Sequence, residues 1–404
     1  MSLKKLVLIP LLLLSLTLTA CAKPVSPEDA AKKDTVNSDA YHAFSANLFT
    51  HATSDTTENS IISPASAYFV LAMLENGADN ETAAEFEKVM GLPSDTLNAY
   101  CQNMTQNLQK TEGDTALNIA HSIWLNTGYA PKKSFIKTIT APYGAEVFEK
   151  NLATAKDPIN AWVSDQTKAL IPEFLTQNPK EGTQMMLINA LYLKASWMKP
   201  FAPENTHNRD FKCTDGTAVS VPFLNSTTDV QPFIDTADTE GIILPYNDNK
   251  LAFVALRPKN NRPINDFIRN FKADTLKNTL ATAEDAPVNL SMPKFTREYT
   301  FDMKKSLIDM GLDHAFDKNL ADFSKMTDAN DLFISEALQK SKINIDENGT
   351  EAAAASVIAM EMKAMPAPPE NVKNLTLDSP YAYFIIRLEG NEPLFMGVMN
   401  NPKN

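Results

Sequence analysis

The sequence predicts one large body that mixes α-helices with long β-strands. Its 404 residues are 44% hydrophobic, which is enough apolar material for a sizeable core. Between residues 38 and 404 there is no linker, no internal repeat and no break in composition. Within this stretch the hydrophobic spacing changes from the helical period to the alternation of strands, so both kinds of element belong to the same body.

The first half of the body is predicted to contain mainly helices. A serine followed by proline at 63–64 is a strong helix start, because the hydroxyl caps backbone N–H groups and proline suits the first helical position. Gly77 suits the end of the same helix. At 97–108 apolar residues recur at three- and four-residue spacing, which indicates another amphipathic helix.

Strands are predicted between and after these helices. Apolar side chains alternate at 116–126, the period of a half-buried strand, and helical spacing returns at 159–171. Residues 185–193 are apolar on both faces, which predicts a strand covered on both sides. Isoleucines alternate with polar residues at 342–346, and the following Asn348-Gly349 favours a two-residue hairpin, because both positions tolerate positive φ.

Composition and charge argue against several function classes. The 49 acidic residues outnumber the 37 lysines and arginines, so the net charge is −12, and the chain has no basic run. We therefore expect no nucleic-acid partner, because nucleic-acid affinity depends on clustered basic side chains. There is no GxSxG, HExxH, phosphate-binding glycine loop or paired-cysteine metal motif, and the 5 histidines are scattered. The sequence therefore predicts neither an enzyme nor a cofactor site.

The first 20 residues have the pattern of a bacterial lipoprotein signal peptide. Two lysines precede an apolar run at 6–19, which is shorter than the ~20 residues that span a bilayer. Residues 18–20 lead directly into Cys21, an arrangement that resembles a lipobox, in which cleavage leaves Cys21 to receive a diacylglycerol. An ordinary secretory signal that ends at a cysteine is the alternative. Cys101 and Cys213, without CxxC neighbours, are predicted to be free thiols.

The same pattern sets the expected location and organisation. We expect a secreted protein that is lipid-anchored to a bacterial membrane, cell envelope or cell surface, because two or three acyl chains hold a protein stably. Residues 21–37 carry few apolar side chains and are predicted to form a lipidated, flexible tether. Residues 38–404 are predicted to be the folded domain.

The segment 351–365 supports two interpretations. Its four consecutive alanines and its methionine-rich second half have helical propensity, so the segment taken alone is predicted to be a helix. It can also form a strand whose first half lacks bulky side chains and can therefore enter between two existing strands. Both cannot hold in one state, although each can hold in a different state.

Several short motifs follow one another through residues 38–404. They are Asn59-Ser60-Ile61-Ile62-Ser63-Pro64-Ala65-Ser66, Ile159-Asn160-Ala161-Trp162-Val163, Asn189-Ala190-Leu191-Tyr192-Leu193-Lys194 with Trp197, Leu244-Pro245-Tyr246, Met292-Pro293-Lys294-Phe295, Asp346-Glu347-Asn348-Gly349-Thr350-Glu351-Ala352-Ala353-Ala354-Ala355-Ser356 and Pro393-Leu394-Phe395-Met396-Gly397. Together these motifs resemble the serpins, a family of serine protease inhibitors. Three departures stand out: Gln339 occupies a position where the family has histidine, Ala169 one where it has glycine, and Leu193-Lys194-Ala195 replaces a Phe-Lys-Gly triplet.

The resemblance implies an α+β serpin fold with about nine helices and three β-sheets, including a large central sheet A, and an exposed reactive-centre loop at about 347–369. It also implies a monomeric suicide inhibitor: a protease cuts the loop, becomes trapped as an acyl-enzyme, and the freed hinge inserts into sheet A. A non-inhibitory binding or chaperone-like serpin is the alternative. Such proteins usually carry proline or charge in the hinge, and residues 352–356 carry neither.

The resemblance also assigns site residues. Counting from the hinge glycine places the reactive bond between Lys363 and Ala364, which favours trypsin-like proteases, and nearby methionines suit elastase- or subtilisin-like enzymes. We expect Gln339 and Ser63 to supply hydrogen-bond partners for buried Asn189. The hinge is assigned to Glu347, Gly349, Thr350, Ala352, Ala353, Ala354, Ala355 and Ser356, and the breach and shutter, which control insertion, to Lys294, Trp197, Ser63, Ser66, Asn189 and Gln339.

Overall fold

The structure is a computed structural model that describes residues 27–108, 115–350 and 371–403. None of the helices in these ranges is long and apolar enough to cross a membrane. The helices found there are α1 (Pro27–Thr53), α2 (Pro64–Glu75), α3 (Asn80–Met90), α4 (Ser94–Leu108), α5 (Lys133–Tyr143), α6 (Lys156–Gln166), α7 (Ile264–Arg269), α8 (Thr275–Leu280), α9 (Lys304–Asp309) and α10 (Asp313–Phe316).

The same ranges contain strands that form two hydrogen-bonded sheets. The strands are β1 (Ser60–Ile62), β2 (Ala116–Asn126), β3 (Glu146–Lys150), β4 (Met185–Ser196), β5 (His207–Lys212), β6 (Ala218–Asp235), β7 (Thr239–Pro245), β8 (Leu251–Pro258), β9 (Glu284–Pro293), β10 (Phe295–Asp302), β11 (Glu336–Ile345), β12 (Gly349–Thr350), β13 (Lys373–Thr376), β14 (Tyr381–Arg387) and β15 (Glu392–Met399).

The six-stranded sheet, which we call sheet A, has the order β10-β11-β12-β4-β2-β3. Strand β4 lies at its centre, and its side chains enter two separate hydrophobic clusters, as its apolar sequence predicted. The larger cluster contains helix α2 on one face of the sheet, and the smaller contains residues of α6 on the other. Sheet A is therefore covered on both faces where β4 passes through it.

The other sheet has nine strands, so the described residues form two hydrogen-bonded sheets where the resemblance implied three. The long strand β6 explains the difference. Its first part pairs with β5 and its last residues pair with β7, while β9 follows it past an irregularity between Ser226 and Asp229. One strand thus joins both regions into a single hydrogen-bonded network. With ten α-helices in the described ranges, where about nine were expected, the architecture remains α+β.

Local sequence signals place helix α2 as predicted. The Ser63 hydroxyl accepts a hydrogen bond from the Ser66 backbone N–H at 3.2 Å, and Pro64 occupies the first turn. All twelve residues of the helix are buried, so it is a core element rather than a surface helix. Gly77 lies beyond its end, and a Cβ there would come within 2.8 Å of the Met326 side chain. Close packing, rather than helix termination, therefore requires this glycine.

Helix α1 corrects the predicted tether. It begins at Pro27, so residues 27–37 are helical where the sequence predicted a flexible segment. Proline suits the first helical position, and the alanine, glutamate and lysine residues that follow have good helical propensity. The remainder of the predicted tether, residues 21–26, lies outside the described part of the chain. Cys101 and Cys213 are buried free thiols, as predicted.

One buried carboxyl group makes stability depend on pH. Burial raises the pKa of Glu75, near the end of α2, to about 8, and the neighbouring charge of Glu87 acts in the same direction. Because the folded pKa exceeds the unfolded one, the stabilisation is fully present below the unfolded value and is lost as pH rises through about 8.

We therefore expect Glu75→Gln to unfold at the same denaturant concentration as wild type at pH 4, and to be more stable by more than ~1 kcal/mol at pH 9. Urea unfolding at the two pH values measures this difference. The exposed Glu181→Gln serves as the control and should show no such dependence. Equal losses for wild type and Glu75→Gln between pH 4 and pH 9 would contradict the assignment.

Candidate functional site

A hairpin turn is present at the end of β11, but one residue earlier than predicted: Glu347 and Asn348 are its central residues, and Gly349 is already the first residue of β12. The Asp346 carboxylate accepts hydrogen bonds from the backbone N–H groups of Asn348, at 2.8 Å, and Gly349, at 3.2 Å. The Asp346 backbone N–H in turn donates to the Gly349 carbonyl at 3.0 Å. An aspartate that binds the backbone two and three residues ahead is a common turn former. The chain therefore reverses here and continues as β12.

Strand β12 lies between β11 and β4, beside the last residues of both strands. We call this end of sheet A its top. Gly349 pairs with Ser196, and Thr350 pairs with both Ala195 and Ile345. A Cβ on Gly349 would lie 2.1 Å from the Ala195 carbonyl oxygen, so only glycine permits this approach. Thr350 is buried at 2% exposure.

Below β12 the strands β4 and β11 pair directly with each other. This parallel ladder, which we call the seam, runs from Glu336 opposite Met186 to Lys340 opposite Ala190. Any further strand that continues from β12 has to separate these five pairs. The structure thus shows sheet A with its central position opened only at the top.

Trp197 holds the turn and β12 in place. Its indole N–H donates to the Asp346 carbonyl at 2.9 Å, and its backbone N–H donates to the Asn348 carbonyl at 2.8 Å. The ring stacks on Tyr246, with centroids 4.9 Å apart. The Tyr246 hydroxyl lies 2.5 Å from the Thr350 hydroxyl. Burial raises the pKa of Tyr246, so this hydroxyl keeps its proton.

Lys294 and Glu347 form an ion pair beside the turn. The Lys294 ammonium lies 2.6 Å from Glu347 Oε2, and the Thr206 hydroxyl donates to Glu347 Oε1 at 2.8 Å. Burial alone would raise the pKa of Glu347, but hydrogen bonds from Lys294 and Thr206 outweigh it and hold the pKa below its usual range. The carboxylate is therefore charged at neutral pH.

The middle of the seam is joined to the start of α2 by an amide side chain. Gln339 Oε1 accepts from the Ser63 backbone N–H at 2.7 Å, and Gln339 Nε2 donates to the Ser63 carbonyl at 2.9 Å. Asn189, which faces Gln339 across the seam, donates to the Ser66 carbonyl at 3.1 Å. Gln339 and Ser63 were expected to bind Asn189. Instead, the amide oxygen and nitrogen of Gln339 both bind the Ser63 backbone, and the Ser63 hydroxyl donates to the Leu394 carbonyl.

His121 belongs to the same region and was not predicted as a site residue. It pairs with Asn189 across the β2–β4 ladder, and its ring lies 5.2 Å from that of Phe69. Burial lowers the pKa of His121 to about 4, and the neighbouring Asn189 amide offsets only part of this effect. The signal was present in the sequence, because strand alternation places His121 on the apolar face of 116–126. Tyr246 was likewise part of a quoted motif without an assigned role.

The structure thus brings together many of the predicted residues around the upper and middle parts of the seam. Glu347, Lys294, Trp197, Gly349 and Thr350 meet at the top. The other predicted residues, Cys21, Ala352, Ala353, Ala354, Ala355, Ser356, Lys363 and Ala364, lie outside the described residues. In the shutter, Ser63, Ser66, Asn189 and Gln339 are all buried.

Comparison with known families identifies this architecture. The family model described as Serpin (serine protease inhibitor) matches residues 39–402. The chain belongs to the serpin family. An uncharacterised serpin-like protein of Thermococcus kodakarensis is 30% identical over 384 residues, covering 93% of this chain and 88% of the relative. Glia-derived nexin of Homo sapiens is 28% identical over 356 residues, covering 85% and 88%.

Solved structures agree with this assignment. The thermophilic serpin tengpin in its native state matches with a TM-score of 0.83 and 33% identity, covering 91% of this chain and 94% of that one. Native protease nexin-1 with heparin matches with a TM-score of 0.81 and 26% identity, covering 90% and 100%. The described residues therefore have the serpin fold. The homologues of this chain in the serpin family are protease inhibitors, not enzymes.

The ion pair beside the turn yields a prediction about kinetic stability. Glu347→Lys places two ammonium groups together and removes the acceptor of the Thr206 hydroxyl, so the turn is released more easily. We expect this variant to form polymers or a latent monomer faster than wild type on mild heating, even though an exposed ion pair contributes only ~0–1 kcal/mol to static stability.

Native gel electrophoresis over time measures the conversion. The double variant Lys294→Glu/Glu347→Lys restores an opposite-charge pair and is expected to convert at a rate between wild type and the single variant. If Glu347→Lys remains monomeric for as long as wild type, the pair does not hold the turn.

Proposed function

We propose that this serpin inhibits serine proteases as a suicide substrate, through cleavage of its reactive-centre loop and insertion of the hinge into sheet A. One observation carries the proposal: Gly349 and Thr350 already occupy the central position of sheet A in the register that a longer inserted strand would continue. The homologues of this chain include glia-derived nexin and leukocyte elastase inhibitor, which further supports the proposal.

The register of β12 determines where the rest of the hinge would lie. Because Thr350 opposes Ala195 in an antiparallel ladder, residue 360 would oppose Met185, the first residue of β4. Insertion through residue 360 would thus span the whole strand, a distance of ~35–40 Å at ~3.3 Å per residue. Lys363 would come to rest just beyond the lower end of β4. An acyl-linked protease would be carried there from the opposite end of the sheet.

The small hinge residues fit the two faces of the sheet in this register. Ala352, Ala354 and Ser356 would follow Thr350 on the face of the larger core, where a bulky side chain would have to displace packed residues. Glu351 would lie opposite Lys194, which is only partly buried. Its carboxylate would therefore gain an oppositely charged neighbour at a position that water still reaches.

The predicted reactive bond indicates the class of target. With Lys363 before the scissile bond, a trypsin-like protease would accept the loop, because its specificity pocket carries a buried carboxylate that pairs with lysine. Enzymes of the elastase or subtilisin type are secondary candidates, since the neighbouring methionines are flexible apolar side chains.

The proposal places the inhibitor at the cell surface. We expect it to be secreted, to act as a monomer and to be anchored through lipid on Cys21 to a bacterial membrane or envelope, as the lipobox-like sequence indicates. There it would meet extracellular proteases. A non-inhibitory binding role is less well supported, because residues 352–356 are four alanines and a serine, without proline or charge.

The decisive test is a covalent complex with trypsin that resists heat and detergent. Wild type should form it, whereas Thr350→Arg should be cut without trapping the enzyme. The arginine would have to occupy a site that is now 2% exposed, so insertion becomes slower than deacylation. We expect the number of inhibitor molecules consumed per enzyme inhibited to rise at least ~tenfold, because deacylation wins the competition with insertion.

Thr138→Arg, on the exposed side of α5, is the matched control and should inhibit like wild type. Absence of a stable complex between wild type and trypsin-, elastase- or subtilisin-like enzymes would instead favour a binding function.

Mass spectrometry tests the reactive bond directly. When trypsin cleaves the protein, we expect a released C-terminal fragment that begins at Ala364. Lys363→Met should abolish this product and shift inhibition towards proteases that cut after methionine, because the lysine no longer fills the charged pocket. Cleavage only at Lys373, or only within residues 350–358, would contradict the assignment.

A further inference from the structure

Two exposed apolar side chains lie beside the top of sheet A. Among the described residues, the large apolar side chains that are exposed are Met198 (42%), Val230 (53%) and Leu320 (53%). Met198 directly precedes Lys199, whose ammonium donates to the Val230 carbonyl at 3.1 Å. Met198 also lines a shallow hollow together with Gln231, the residue that follows Val230. We call Met198 and Val230 the apolar patch, because single exposed apolar residues are common, whereas contiguous ones mark interaction surfaces.

The first end of the reactive-centre loop leaves the body next to Met198. Trp197, the preceding residue, binds the backbone of the turn before β12 through its indole and its own N–H. Phe201 donates its backbone N–H to the Glu347 carbonyl at 2.8 Å. Met198 therefore lies on a short segment that is fixed to the turn at both ends, and Thr350 is the last described residue before the loop.

The other end of the loop returns next to Val230. Strand β13, which follows the loop, begins at Lys373. Lys373 pairs with Val288 of β9, and Val288 pairs with Asp229, the residue before Val230 on β6. The Lys373 ammonium also lies 3.6 Å from Asp235 Oδ2 on the same strand. Both ends of the loop are thus attached to the segments that carry the apolar patch.

A protease that binds the loop at Lys363 is kept close to the body of the inhibitor. Even a fully extended chain joins Lys363 to Lys373 over at most ~36 Å. A stable protein interface covers about 800 Å² and ~20–30 residues on each partner. A substrate cleft takes up only a few loop residues, so a stable complex also needs contacts with the body. The apolar patch lies beside both places where the loop joins that body.

We propose that Met198 and Val230 are a second contact for the trypsin-like protease that binds the loop, and that they pack against an apolar surface beside its substrate cleft. This inference deepens the proposed inhibitory function and rests on it for its biological role. Lys363 fits the charged pocket that trypsin-like proteases share, whereas the patch favours those with a matching apolar surface. Because dissociation competes with acylation, a contact that slows dissociation raises the rate of trapping.

Replacement of each patch residue by glutamate tests this contact, with trypsin as the probe. A carboxylate buried in an interface without a partner is costly, so Met198→Glu and Val230→Glu should each bind trypsin less tightly. Inactive trypsin, in which alanine replaces the nucleophilic serine, measures docking to the full-length protein without cleavage. We expect its dissociation constant to rise about ten-fold in each variant, and the rate of covalent trapping of active trypsin to fall by the same factor.

Leu320→Glu is the matched control for both variants. Leu320 is as exposed as Val230, but it follows α10 in a segment where Asp322 binds Asn80 at the start of α3. Leu320→Glu should therefore dock and trap trypsin like wild type. The number of inhibitor molecules consumed per enzyme inhibited should keep its wild-type value in all three variants, because the patch acts before the loop is cut. A rise in this number with unchanged docking would mean that the substitutions disturb insertion, and would overturn the proposal.

The outcomes separate this inference from the proposed function. If Met198→Glu and Val230→Glu dock and trap trypsin as well as wild type does, the patch is not a protease contact and the inhibitory function stands. If docking of inactive trypsin weakens as expected but wild type traps no protease, the contact is real and the proposed function is wrong. Equal weakening in Leu320→Glu, or no docking of inactive trypsin to wild type, would also overturn the role given to the patch.

Discussion

The arrangement of this molecule depends on the parallel pairing of β4 and β11. Five residue pairs, from Glu336 opposite Met186 to Lys340 opposite Ala190, close the centre of sheet A below the short strand β12. Parallel pairing is slightly weaker per residue than antiparallel pairing. A strand that entered from above would run antiparallel to both neighbours and would replace these pairs with stronger ones. The five parallel pairs therefore keep the centre of sheet A closed to a further strand below β12.

The contacts that close the seam differ in their physical nature. At the top, the Lys294–Glu347 pair is partly exposed, and such pairs contribute little to static stability. At the middle, Gln339 makes two buried hydrogen bonds with the backbone at the start of α2, and each buried polar group left unpaired costs ~1–3 kcal/mol. Opening at the top therefore costs little, whereas Gln339 has two buried hydrogen bonds to lose if the seam opens past it. This gradient suits a sheet that admits two residues and holds back the rest.

The shutter of this serpin keeps its polar residues uncharged near neutral pH. Gln339 cannot titrate, and burial lowers the pKa of His121 to about 4, so the imidazole next to Asn189 stays neutral. A charged imidazole at this position would lack solvation for as long as the sheet is closed. Protonation of His121 therefore favours an opened sheet only in strongly acidic conditions. Where the family has a histidine on β11, this chain has the neutral amide and places a histidine on β2 instead.

The sequence by itself determined those elements that depend on interactions between residues close together in the chain. Ser63 caps α2, Asp346 shapes the turn before Gly349, and the two-sided apolar pattern of β4 requires cover on both faces. Only the tertiary structure decided which side chains meet. Gln339 binds the Ser63 backbone, His121 lies beside Asn189, and Lys340 binds the Glu173 carbonyl, although the partners in each contact are far apart along the chain. Such long-range contacts depend on strand register and packing, which no local sequence pattern encodes. Caps, turns and alternation, in contrast, follow from the backbone preferences of the residues themselves.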